Sequence, residues 1–411
     1  MVRWRPVAIT AVLVLAVSAC SHPPSGPTLA FGGARPASGT QSATATTPPR
    51  APGWYSATPP PTKPTTMYWD VAALDATHAW SVGGGDGYSV DAPATTGHPL
   101  VAKWDGRQWT RMELPADWKA TGVSLVAADS PTNVWIKGSP WITSPDANLT
   151  MLLRYDGSNW QQVAFPPGAT PSSLTITGMA VVGGHTWLVG HEGVKTIIQE
   201  WDGQTWKAHQ PPAECTQGGT SFAGMPNFCN LNSVTAFGPD DIWAAGNGAW
   251  AGFKGPLLLH WDGTGWQVVQ VGSYNEEFTL VAVAGRSGTD VWAAGHINMG
   301  GKQLVVHSDG KSWQAFRDLP DAVMTDLTVD ADGQPWLIRT YPPASTTTFT
   351  TYADGKWTDT LVPTPNGASG VSMKAVTAIP RTRHLLAVGG VDLPTNPVTI
   401  QAHFMDYVGK P

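Results

Sequence analysis

Charge is scarce in this 411-residue chain: only 13% of its residues are Asp, Glu, Lys or Arg. The basic residues are scattered singly, and the net formal charge of −6 becomes −8 once Arg3 and Arg5 are set aside. Binders of duplex DNA or anionic surfaces carry a basic patch, so nucleic acid is excluded as a partner. Cysteine is rarer still, with Cys20, Cys215 and Cys229 the only three. No Cys-x-x-Cys and no His cluster stands beside them, so no metal site is expected, and nothing calls for a cofactor. The chain also lacks any long stretch of 3.6-residue apolar periodicity, which argues against a helical architecture. Its longest leading apolar run, residues 7–17, falls short of the ~20 residues that a spanning helix needs.

That run belongs to a targeting segment. Arg3 and Arg5 supply a positive start, residues 7–17 the apolar stretch, and Val17-Ser18-Ala19-Cys20 a small-residue processing site. The last four residues resemble the lipobox of bacterial lipoproteins. The resemblance implies cleavage before Cys20, a diacylglycerol on its sulfur, and a protein held by its lipid on the extracytoplasmic face of the cell membrane. Residues 21–52 are Pro, Ser, Thr, Ala and Gly with almost no large apolar side chains, a composition that makes a tether reaching roughly 30 Å as a coil. The expected division is therefore a leader over 1–19, the lipidated Cys20 and tether over 20–52, and one folded domain over 53–411. In an exported domain the remaining even pair, Cys215 and Cys229, predicts a disulfide closing a short loop, worth ~3 kcal/mol in the chain-entropy model.

What the chain does have is 45 Gly, 36 Pro and 21 Trp, and these are arranged in a repeat. In residues 231–269 four short apolar runs are separated by Pro239-Asp240-Asp241, a Gly-rich loop and Asp262-Gly263, which reads as four antiparallel strands. The tryptophan of the second run recurs as Trp80, Trp135, Trp187, Trp243, Trp292 and Trp336. A fourth-run tryptophan follows each, at Trp109, Trp160, Trp206, Trp266, Trp313 and Trp357. A period near fifty residues built of strands means propeller blades. Six units are complete and a seventh, over residues 373–404, lacks its last strand. Residues 53–58, with Trp54, match that missing strand. The expected fold is all-β: a seven-bladed β-propeller of four-stranded antiparallel blades closed by the N-terminal strand, with six blades as the alternative. The paired tryptophans fill the spaces between blades.

Strings such as Asp290-Val291-Trp292-Ala293-Ala294-Gly295, together with Leu257-Leu258-Leu259-His260-Trp261-Asp262-Gly263-Thr264-Gly265-Trp266, resemble Trp-rich propeller repeats of secreted bacterial proteins. Those are grouped with kelch, galactose-oxidase-like and sialidase-like propellers. The resemblance covers about residues 53–407 and implies a fold without naming an activity.

Function is expected on the loops, which vary between repeats where the opposite turns are short and alike. They carry off-repeat aromatics and acids, of which Tyr88, Trp118, Trp141, Trp250, Tyr274 and Glu276 are the candidate ligand contacts. Glu276 and Glu277 read as a solvated acid pair. Ser308-Asp309-Gly310-Lys311-Ser312-Trp313 resembles the aspartate-box turn of sialidase-like enzymes, one residue short, and that turn is structural there. Asp330-Ala331-Asp332-Gly333 reads as a hairpin turn in place of a calcium loop. No catalytic residues are assigned. The expectation is a monomeric, membrane-anchored binding module for a glycan, cell-wall component or protein. An extracytoplasmic glycoside hydrolase or lyase of sialidase-like build is the alternative.

Overall fold

The structure is a computed structural model. It describes residues 50–85, 97–118, 120–139, 151–164, 174–216, 227–250, 253–272, 276–297, 301–341, 346–395 and 399–409. Arg50–Pro411 form one compact unit. Among the described residues the backbone is strand and turn, apart from one 3₁₀ turn at Ala213–Cys215. Cys215 and Cys229 are disulfide-bonded with their Cα atoms 5.2 Å apart, as their pairing predicts.

Each repeat is an antiparallel meander whose strands pair in sequence order. The unit at the centre of the chain shows the pattern: Phe228–Gly238, Asp241–Trp250, Phe253–Trp261 and Trp266–Val268. The two repeats that open the chain share one sheet, joined through the single pair Gly84–Gly122. The sheet that ends the chain takes its fourth strand from the beginning. Gly53–Ala57 lies antiparallel along Thr399–Val408, with Gly53 opposite Val408 and Ala57 opposite Phe404. Both chain ends thereby lose an unpaired edge.

The first strands touch one another in turn. Met67–Asp75 meets Gly122–Ser130, which meets Leu174–Val182, and so on through Phe228–Gly238, Thr279–Ser287 and Val323–Val329 to Gly370–Ala378, which returns to Met67–Asp75. This closed ring surrounds a channel. Hydrophobic clusters lie between consecutive sheets. One joins Trp187 and Ile198 to Leu231, Leu259 and Trp266, and another joins Trp336 and Phe349 to Met373, Met405 and Trp54. The second-strand tryptophans Trp80, Trp135 and Trp187 have no exposed surface. Burying an indole on each sheet face contributes about 2–3 kcal/mol per side chain by area.

Two local rules recur. Three residues after the second-strand tryptophan stands a glycine that faces the inner strand closely. A Cβ at Gly83, Gly190, Gly246 or Gly295 would come within 1.8–2.2 Å of a carbonyl oxygen there. The other rule governs the turn between third and fourth strands. One carboxylate oxygen of Asp105, Asp156, Asp202, Asp262 and Asp309 accepts the backbone N–H groups two and three residues on. The aspartate-box-like turn at Asp309 is thus one copy of a repeat-wide Asx turn. Asp330 is likewise used internally, accepting the N–H groups of Asp332 and Gln334 and the indole N–H of Trp336.

Candidate functional site

Every first strand carries a bulge at the same level. The pairing register skips one residue in each, namely Trp69, Ser124, Thr177, Asn232, Val281, Thr325 and Lys374. All line a channel cavity of about 340 Å³. A bulge kinks its strand and re-aims the extra side chain, and here it aims a mostly polar set at the axis. Trp69 is the large member, and its ring lies over Gly84 and Gly122, where the two opening repeats join.

The residue after the bulge fastens neighbouring repeats. Asp70 accepts the N–H of Val71 with one oxygen and that of Val126, in the next repeat, with the other, both at 2.8 Å. Asp326 does the same with Leu327 and Val376, and the Ser233 hydroxyl accepts the N–H of Val283 at 3.2 Å. Burial pushes the Asp70 carboxyl up to about 8 and the Asp326 carboxyl up to about 7, against the N–H bonds that pull both down. Each keeps part of its surface open to the channel. Lys137 reaches in to donate to the Ser124 hydroxyl at 3.2 Å, and burial pulls its ammonium down to about 8. Lys374 has no ion-pair partner among the described residues.

The loop candidates fare differently. Tyr88, Trp141 and Tyr274 lie outside the described residues, as does Cys20. Trp118 is buried, 8% exposed, in the core between the two opening repeats. Its ring rests on Gly138, where a Cβ would approach it to 2.5 Å. Trp250 is half-buried and stacks on Phe253, centroids 4.3 Å apart. Glu276 is bound twice by Arg317, at 2.7 and 2.8 Å, and by Lys302 at 3.1 Å, which together hold its carboxyl below the usual range. Glu277 pairs with Lys254 at 2.6 Å. The acid pair is therefore divided between separate basic partners instead of standing free in solvent. Mutual repulsion between neighbouring carboxylates is relieved that way.

Sequence reasoning passed over the channel set. Its signal was present in Trp69-Asp70-Val71 and Thr325-Asp326-Leu327, where a carboxylate interrupts an otherwise apolar first strand. Only the bulge, which no residue type announces, turns those side chains inward. A polar side chain opposite the second-strand tryptophan was also missed. His260 stacks on Trp243 and His307 on Trp292, at 4.3 and 3.9 Å between centroids. The His260 Nε2 and Trp243 indole N–H share one oxygen of Asp241, and Arg154 and Trp135 share Asn133 in the same way.

Solved structures of the same build exist. YCF48 bound to D1 peptide aligns over 88% of this chain and 98% of its own, with a TM-score of 0.53 and 16% identity. The β-propeller domain of the Trilobed protease from Pyrococcus furiosus aligns over 82% and 94%, with a TM-score of 0.50 and 9% identity. The fold is a β-propeller. The GH74 xyloglucanase from Xanthomonas campestris shares it over 83% of this chain and 53% of its own, with a TM-score of 0.56 and 14% identity. No protein-family model and no curated protein matches the sequence. At these identities the likeness carries the fold alone.

Proposed function

We propose that the chain is a lipoprotein, anchored through Cys20 to the extracytoplasmic face of a bacterial cell membrane. Its propeller, counted as seven four-stranded blades closed by Gly53–Ala57, presents the variable loops and the channel mouth to a glycan, cell-wall component or protein. It binds without catalysis. Support for the blade count comes from the closed ring of first strands and from the pairing of the two chain ends.

One observation carries the binding reading: the acid pair of the loops and the two carboxylates beside the channel bulges are committed. Glu276 and Glu277 are paired with bases, and Asp70 and Asp326 with backbone N–H groups. A glycosidase needs one carboxyl protonated and a second free, ~5–9.5 Å apart. The YCF48 structure holds a peptide, which supports a protein ligand as well as a glycan.

The deciding experiment exposes residues 50–411 to arrays of glycans, peptidoglycan fragments and peptides, with released products followed by mass spectrometry. Saturable binding without product is the expected result. Product release would instead establish the hydrolase or lyase of sialidase-like build. Anchoring is tested separately: cells fed a clickable palmitate should label the wild type and leave Cys20→Ser unlabelled.

A further inference from the structure

The sixth repeat breaks the glycine rule. Trp336 is followed three residues later by Arg339, at the position held by Gly83, Gly138, Gly190, Gly246 and Gly295 after their own tryptophans. Its register matches too, since Arg339 faces Met324 as Gly295 faces Leu280. Where close backbone approach favours no side chain at all, this repeat places the longest cation. The side chain has no exposed surface, and it crosses its sheet outward. One guanidinium nitrogen donates to the Thr350 hydroxyl and to Asp359, at 3.2 and 3.0 Å, and the other to the Pro320 carbonyl at 2.6 Å. Thr350 and Tyr341 add hydroxyl donors to the Asp359 carboxylate, at 2.6 and 2.7 Å. Three bonds thus lock one carboxylate that remains 39% exposed.

Asp359 borders a cleft of about 700 Å³ between the fifth and sixth repeats, on the outer side of the sheets and away from the channel. Its apolar wall is the aromatic group Phe316, Tyr352 and Trp357, with centroids 4.8–5.4 Å apart. Around it stand the exposed side chains of Gln314, Asp318 and Lys356, and Lys356 has no ion-pair partner among the described residues. Two cations, Arg339 and Lys356, balance two anions, Asp318 and Asp359. A balanced ring of donors and acceptors beside an aromatic wall suits a ligand that offers hydroxyls and a C–H face, and it gives no advantage to an ion.

We propose that this cleft is a binding site for a neutral saccharide, with Asp359 held by Arg339 as its fixed acceptor. Pre-organising one polar group with a buried partner is how a site avoids ordering cost on binding. The site includes neither the channel bulge residues nor Trp250 and does not depend on them.

The test titrates residues 50–411 with maltotetraose, mannotetraose, xylotetraose and chitotetraose, and with tetragalacturonate as the acidic control, by calorimetry and saturation-transfer NMR. At least one neutral probe should bind saturably. Lys356→Ala and Gln314→Ala, both exposed positions that leave the melting temperature in place, should each weaken it by about tenfold, the scale of one lost polar contact. Trp250→Ala and Lys374→Ala on the loop and channel side should leave it unchanged. Three results would overturn the proposal: no neutral probe binding, binding of tetragalacturonate alone, or binding that falls with Trp250→Ala or Lys374→Ala and survives the cleft variants. The last would assign the saccharide to the loop face, so the two sites fail independently.

Discussion

Single residues in this propeller act mainly through backbone contacts across repeats. Asp326 ties its strand to the next by accepting N–H groups from Leu327 and Val376, and burial holds its carboxyl protonated up to about pH 7. The unfolded chain releases that proton near the ordinary carboxylate value, so between those limits the folded state binds more protons and stability falls as pH rises. Asp70 extends the same fall toward about pH 8. Urea melts of Asp326→Asn across pH 4–8 should show a flatter profile than the wild type. At pH 5 the variant should be less stable by about 1–3 kcal/mol, because the amide turns an NH₂ toward one backbone N–H. An unchanged pH slope would remove Asp326 as its source. Gly138 offers a second test. Gly138→Ala drives a Cβ into the Trp118 ring, and the overpacking should cost about 1–3 kcal/mol, read as a lower midpoint with the near-ultraviolet tryptophan signal altered.

Among the elements, the N-terminal strand matters beyond its five residues. Trp54 stacks on Phe349 of the neighbouring sheet at 3.7 Å and meets Trp336 edge-on at 6.0 Å, so it belongs to the last core cluster. Trp54→Ala should destabilise by about 2–4 kcal/mol, somewhat under the cost at a fully buried indole because Trp54 is half-buried. Removing residues 50–57 altogether should also bare the edge of Thr399–Val408. Light scattering on heating should then rise well before it does for Trp54→Ala, since an open edge templates association. Equal scattering from both variants would mean the aromatic contact matters more than the edge. The turn elements show how little freedom the repeat leaves. Asp354 departs from the Asx turn because its loop is shorter. Ala353 pairs with Lys356, and both Asp354 and Gly355 take positive φ, 52° and 76°, the geometry of a two-residue hairpin.

For the whole molecule, closure is a statement about connectivity. Gly53 opposes Val408, so a two-residue Asn-Gly turn could join these positions as an ordinary hairpin. A circular permutant that moves residues 53–66 behind residue 408 should keep the native near-ultraviolet spectrum and melt within about 5 °C of the parent, a shift of ~4 kcal/mol or less for a chain this long. Failure to fold would show that entry through the N-terminus, and not the strand pair itself, organises the last sheet. The same ring explains why the channel side chains come from every repeat: no repeat alone has an axis to face.

Periodicity by itself determined a large part of this protein. Tryptophans at two positions per repeat, Asp-Gly turns between third and fourth strands, and the resemblance of residues 53–58 to a fourth strand made the meander and the pairing of the chain ends legible, because strand alternation and turn chemistry are local. The Cys215–Cys229 disulfide was legible by arithmetic. Partners that meet across repeats were not. Glu276 and Glu277 are adjacent in the chain, yet Arg317, Lys302 and Lys254 separate them in space. Trp118 looked like a loop aromatic until Gly138 gave its ring a seat. The inward turn of Asp70 and Asp326 needed a bulge, and the reach of Arg339 to Asp359 needed the width of a sheet. Such contacts join residues tens of positions apart, and only the closed ring, which fixes where each strand lies against the next, brings them within hydrogen-bonding distance.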